Sequence, residues 1–278
     1  MTAKLPVAHS VFLLAALLLG AQAADANSDT CGKRAAAIVR KAYPNAKPSG
    51  DNFSIDGLNI VTPESDMNGE VAHVVCRSWP GRPDTMLAAI PFTKDWESKE
   101  PGGRLDLLVL DKRTLNVQQR LRLNTNTTNS GLSINAIRFD NTRYLLAPGR
   151  PAVGLLMMRG RQVDPKSFSE DVLWLYALDG DQVRPVVDGL VVQANTTVMA
   201  EQCSTTSVGG RRTLSLEPPS HNGYADIVVT EKRLSQQETK GKNGMCALRP
   251  TKSETATHRL VYSGTQYEVP KALLKPLE

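Results

Sequence analysis

The sequence predicts a mainly β fold, an antiparallel sandwich or open propeller-like stack of hairpins with one short N-terminal helix. Three observations carry that expectation. Beyond residue 49, apolar residues recur with a period of two in short runs, the pattern of half-buried strands. Turn-forming pairs such as Pro80-Gly81, Asp179-Gly180 and Ser263-Gly264 separate those runs. An even set of four cysteines is spread along the 278 residues, which suits a sheet-rich body closed by disulfides.

The chain opens with Lys4, the apolar stretch Val11 to Leu19 and the small-x-small triplet Ala21-Gln22-Ala23. This is the layout of a cleavable secretory leader. A spanning helix needs about 20 apolar residues, so removal is expected rather than anchoring. Cys31 follows Ser28-Asp29-Thr30, which is not a lipid-attachment triplet. The expected organisation is a signal peptide over 1–23, an N-terminal helix segment over 24–48 and a β domain over 49–278. The polar run 124–131 is a candidate division within that domain. No later run is long enough to span a membrane, so no transmembrane segment is expected after cleavage.

Cys31 to Ala42 reads as the helix. Asp29 or Thr30 can cap it, Ala35, Ile38, Val39 and Ala42 form its apolar stripe, and Pro44 stops it. Strands are expected at Val71 to Trp79, with Cys76 facing inward, and at Met86 to Phe92. Leu105 to Leu110 and Thr114 to Leu123 form a hairpin, with Leu115, Val117, Leu121 and Leu123 on one face and Asn116, Gln118, Arg120 and Arg122 on the other. Strands resume at Leu132 to Phe139, Arg143 to Leu146 and Ala152 to Arg159. Val172, Trp174, Tyr176 and Leu178 share one face of the next, which turns at Asp179-Gly180 into Val183 to Val187. Leu190 to Val198, Arg212 to Glu217, Tyr224 to Arg233 and the hairpin 258–269 complete the series. Leu234 to Thr257, polar and broken by Gly241, Gly244 and Pro250, is expected as a long loop. The strand ends 105–111 and 173–179 echo each other, each reaching an Asp before a turn.

Cys31, Cys76, Cys203 and Cys246 allow three pairings, and chain order suggests Cys31 with Cys76 and Cys203 with Cys246. In an exported chain without a C-x-x-C motif, structural disulfides outrank metal or redox roles. The net charge of +5 is a mild excess. Arg159-Gly160-Arg161, Arg211-Arg212 and Lys240-Gly241-Lys242 read as solvated loop tips rather than a nucleic-acid face. Aromatic residues make up only 5%, which does not favour sugar stacking.

Hydrolase elbows, zincin motifs and phosphate loops are absent from the sequence. His73, on a strand face opposite Cys76, is the candidate general base, with an ordinary half-exposed histidine as the simpler reading. Glu64 to Glu70 alternates oxygen side chains like a calcium loop. Val75 stands where the clamping carboxylate is needed, so a polar turn is the better reading. Asn52, Asn126 and Asn195 head glycosylation sequons, which matter only in a eukaryotic secretory route. No catalytic residue, cofactor or metal site is assigned.

Val-Val-Cys-Arg-Ser-Trp-Pro (74–80), the Leu105 to Leu123 hairpin, Tyr-Ala-Asp-Ile-Val-Val-Thr (224–230) and Tyr-Ser-Gly-Thr-Gln-Tyr (262–267), taken with the leader, resemble exported proteins of Gram-negative proteobacteria whose activity is not known. The resemblance implies a periplasmic location. The run 223–229 is also similar to single blades of integrin-type propellers, whose Asp-rich calcium loop this chain lacks beside it. The expected function is a non-catalytic binding or envelope-associated protein of the periplasm, whose partner is an envelope protein or glycan. The alternatives are a hydrolase of an envelope polymer and a protein inhibitor that inserts segment 234–257 into a secreted hydrolase.

Overall fold

A computed structural model describes residues 31–62, 72–79, 82–94, 101–124, 132–179, 182–201 and 203–274. The leader, the calcium-like segment 64–70, the Pro80-Gly81 turn and nearly all of the 124–131 run lie outside the described residues. Among the described residues, one helix, α1 (Arg34–Ala42), precedes fourteen strands. The first seven are β1 (Lys47–Ser49), β2 (Asn52–Ile55), β3 (Leu58–Ile60), β4 (Val75–Ser78), β5 (Thr85–Thr93), β6 (Pro101–Asp111) and β7 (Val117–Asn124). They form one sheet in the order β1-β2-β3-β5-β6-β7, with β4 also paired to β5. The second seven are β8 (Ser133–Ala147), β9 (Arg150–Val163), β10 (Lys166–Asp179), β11 (Gln182–Val198), β12 (Thr206–His221), β13 (Tyr224–Lys240) and β14 (Cys246–Leu260), a meander in chain order. A short 3-10 turn (Lys271–Leu273) follows. The fold is mainly β and antiparallel, as the alternation predicts.

Three hydrophobic clusters build the layers. Ala35, Ile38, Val39 and Ala42 of α1 pack on Ala88, Ile90, Leu108 and Leu110 of the first sheet. The opposite face, with Leu87, Ala89, Leu105, Leu107 and Val109, meets Phe139, Leu155, Trp174 and Tyr176 of the second. Strands β9 and β10 are therefore buried on both faces. Leu156, Leu173, Leu175 and Ala177 face away from the first sheet into a cluster with Ile227, Val229, Leu260 and Leu273. The second sheet folds over on itself to enclose that cluster, and β8 approaches β12 and β13. The two sheets share a core.

The helix begins three residues later than expected, at Arg34, and carries Arg40 and Lys41 in its last turn, where cations suit the helix dipole. Cys31 joins Cys76 of β4 with Cα atoms 4.8 Å apart, tying the helix entry to the first sheet. Cys203 joins Cys246, Cα atoms 5.2 Å apart. Each bridge closes a separation of 45 or 43 residues, worth about 4 kcal/mol in the chain-entropy model.

Three expectations are corrected. Segment 234–257 is not a loop: it forms most of the β13–β14 hairpin, paired from Lys240↔Cys246 through Ile227↔Leu260. Both faces of that hairpin end are solvated, so no apolar alternation marks it. The β7 side chains do not share one face: Leu115 and Val117 pack toward the helix, and Leu121 and Leu123 toward the second sheet. The register jumps from Val109↔Gln119 to Leu110↔Val117, so Gln118 is an extra residue that reverses the alternation. Finally, Arg159 and Arg212 are not solvated tips. Arg159 pairs with Glu170 and Arg212 with Glu231, all four largely buried.

Candidate functional site

The fold-over of the second sheet has a local cause. β11 and β12 pair only from Gln193↔Arg211 to Val198↔Thr206. Across β10, the register steps from Asp171↔Gln193 to Val172↔Val191, which leaves Val192 as a bulge. Below this point β11 and β12 diverge. Arg212 fills the seam: Nη1 donates to Val191 O at 2.8 Å and to Leu273 O at 3.0 Å, Nη2 donates to Ala272 O at 3.3 Å, and Nε donates to Glu231 Oε2 at 2.7 Å. The Arg233 guanidinium holds the other Glu231 oxygen.

Beside this seam a cleft of about 330 Å³ opens. Its aliphatic wall is Leu156, Leu173, Val192 and Leu214, and its polar wall includes Arg138, Asp140, Tyr144, Asp171, Gln193 and Arg211. Asp171 lies 3.7 Å from Arg138. Burial raises the Asp171 carboxyl above its ordinary value, and the Arg138 and Arg211 charges only partly offset this. Asp140 is fixed by its own bulge. Oδ1 accepts from Thr142 N at 3.2 Å and Thr142 Oγ1 at 3.1 Å, and Oδ2 accepts from the Tyr144 hydroxyl at 2.5 Å. Gly154 makes room for this arrangement, since a Cβ there would stand 2.8 Å from Asp140 Cβ and 3.3 Å from the Tyr144 ring. The cleft thus offers a carboxylate, two guanidinium groups and an amide against an apolar floor, a composition suited to orienting a small polar ligand.

The residues singled out from sequence lie elsewhere. His73 is half-buried in the segment before β4, not within a strand, and does not line the cleft. His221 and His258 do not line it either. Asp179 closes a strand end by accepting from Arg150 and Arg184 at 3.4 and 3.3 Å. Asp111, its counterpart in the sequence echo, instead accepts from Thr114 N and Oγ1 in its own turn. Asn195 is held inside the sheet by Thr197 and Ser207. The segments 224–230 and 262–267 do meet. Tyr224 stacks on Tyr262 at 4.2 Å, and the Tyr267 hydroxyl donates to Ala225 O at 2.7 Å.

Two charged clusters went unrecognised in the sequence. Asp106, fully buried, accepts from Tyr43 Oη at 2.8 Å and from Arg104 at 3.0 and 2.6 Å, with Arg120 and Arg122 both at 3.6 Å. Arg120 also donates to Ala42 O at the end of α1. Asp226, also buried, faces His221 Nδ1 at 2.6 Å and Arg259 at 3.2 Å. Both tie neighbouring elements together. Among the described residues, no group of three or more His, Cys, Asp or Glu side chains is placed to hold a metal ion, and no cysteine is free. No helix among them is long and apolar enough to cross a membrane. Protein-family models, curated proteins and solved structures give no match to the chain.

Proposed function

We propose that the protein is a non-catalytic binding protein of the periplasm, exported by its leader and engaging an envelope glycan or protein through the cleft beside the β11–β12 seam. The observation that supports this is the pairing of Arg138 and Asp171 in the lining of a cleft that also has an aliphatic wall. The two disulfides fit an oxidising compartment. Solubilised peptidoglycan fragments titrated into the isotopically labelled protein should shift the amide signals of Arg138, Asp171 and Gln193. Asp171→Asn should weaken binding about tenfold, the scale expected for losing one charge-assisted hydrogen bond. Shifts scattered over the surface, unchanged in the variant, would remove the cleft from consideration.

Hydrolysis of an envelope polymer is the second reading, because Asp140 and Asp171 line one cleft and burial raises the Asp171 carboxyl above its ordinary value. Turnover of the same fragments, lost in Asp171→Asn, would favour it over binding alone.

A further inference from the structure

Strands β9 to β14 run beyond the hydrophobic clusters and end together. The register sets Val163, Lys166, Val198, Thr206, Gln237 and Arg249 in one row across them. The β9–β10, β11–β12 and β13–β14 connections therefore share one end of the second sheet. That end is stitched together. Met199 N donates to Pro165 O at 2.8 Å, Glu238 N donates to Thr205 O at 2.7 Å, and the Cys203–Cys246 bridge joins the last two connections.

Each connection there exposes a large apolar side chain. Val163 is 59% exposed, Met199 41% and Met245 67%, with Leu248 at 46% beside the last. Single exposed apolar residues are ordinary. These are four of the eight large ones exposed among the described residues, gathered at one end of the sheet. Arg161, Lys166, Lys240, Lys242 and Arg249 surround them, against Asp164, Glu201 and Glu238. Apolar side chains ringed by Lys and Arg are the composition of an interfacial anchor. The apolar groups enter the acyl boundary while the cations meet headgroup phosphates.

We propose that this end of the second sheet docks on an anionic lipid bilayer. The excess of cations over carboxylates matches that surface in charge. The apolar groups are separate protruding tips. A deformable bilayer accommodates such tips, whereas a stable protein contact needs about 800 Å² of matched surface per partner. The tips lie five strand residues from Asp171 and Gln193, about 17 Å, so the proposal does not rest on ligand binding in the cleft.

The oxidised, leader-processed protein is co-sedimented with large vesicles of phosphatidylcholine alone, or with equal parts phosphatidylglycerol. Binding to the anionic vesicles should be about tenfold stronger and should fall as salt screens the headgroups. The double variant Met199→Ser/Met245→Ser should reduce it about tenfold, and Lys240→Glu/Lys242→Glu should abolish the preference for phosphatidylglycerol. Asp171→Asn should leave it unchanged, and unaltered thermal unfolding of each variant excludes misfolding. Three results would overturn the proposal: equal recovery with both vesicles, binding indifferent to the tip substitutions, or a concentration-dependent dimer that Met245→Ser dissociates, which would assign this surface to a second copy of the chain.

Discussion

The side-chain amide of Gln119 pairs with both main-chain groups of Val183. Nε2 donates to Val183 O at 2.8 Å, and Oε1 accepts from Val183 N at 2.6 Å. Gln119 belongs to β7 and Val183 to β11, so one residue joins the two sheets by mimicking a strand. The need arises because β12 pairs with β11 only from Gln193 onward, which leaves the start of β11 with an open edge.

Gln119→Leu should therefore destabilise the protein by about 1 kcal/mol, the cost of leaving partly buried main-chain groups unpaired. Urea unfolding should show a lower midpoint with an unchanged slope. A midpoint equal to that of the parent would mean that water replaces the amide.

Arg212→Met should cost about 3–5 kcal/mol, since it leaves Glu231 with Arg233 alone and takes the donor from three main-chain carbonyls in the seam. Glu231→Leu added to it should recover part of the loss, because the buried carboxylate, then only half compensated by Arg233, is gone. Thermal unfolding of the single and double variants measures the coupling.

Burial alone would raise the Asp106 carboxyl, but hydrogen bonds from Arg104 and Tyr43 and the nearby guanidinium charges outweigh it and hold the group below its ordinary value. A depressed carboxyl contributes stability that is complete above its unfolded pKa, about 3.9. That contribution is lost as pH falls through the lower folded value. Stability should thus decline below about pH 4, and Asp106→Asn should flatten that decline while lowering stability at neutral pH. Denaturant midpoints taken from pH 2 to 7 would reveal an unchanged acid limb if another carboxylate were responsible.

Tyr176 lies in the core between the sheets, and its hydroxyl has no hydrogen-bond partner among the described residues. Tyr176→Phe should stabilise the protein by about 1 kcal/mol, because it removes a buried polar group that gains nothing in return. A loss of stability would show that the hydroxyl is satisfied by a buried water.

Gly154→Ala should cost about 1–3 kcal/mol through overpacking. The added carbon meets Asp140 Cβ at 2.8 Å and Leu173 Cδ1 at 3.1 Å, and both residues line the cleft. Ligand binding should weaken along with stability. A variant that keeps full stability would show that β8 can shift aside.

The legible parts of this fold were those with a local signal. The Ala35, Ile38, Val39, Ala42 stripe and the Val172, Trp174, Tyr176, Leu178 alternation each name a buried face, because side-chain period alone decides which way a residue points. The bulges at Gln118 and Val192 were not legible, since both exist only relative to a partner strand distant in sequence. The distal half of β13 and β14 was hidden because neither face is buried, and cross-strand pairing without burial leaves no apolar rhythm. Arg138, Asp171 and Arg211 sit on three different strands. Nothing in their spacing announces that a sheet will fold over and bring them around one cleft. Asp106 and Arg212 each read as surface charges in the sequence, because a buried ion pair has the same letters as an exposed one.

Leu273 is fully buried, and its carbonyl is one of the acceptors that Arg212 requires. The interior of the second layer therefore stays unfinished until residue 273 has been made. Up to that point the growing polypeptide is a meander with a missing keystone.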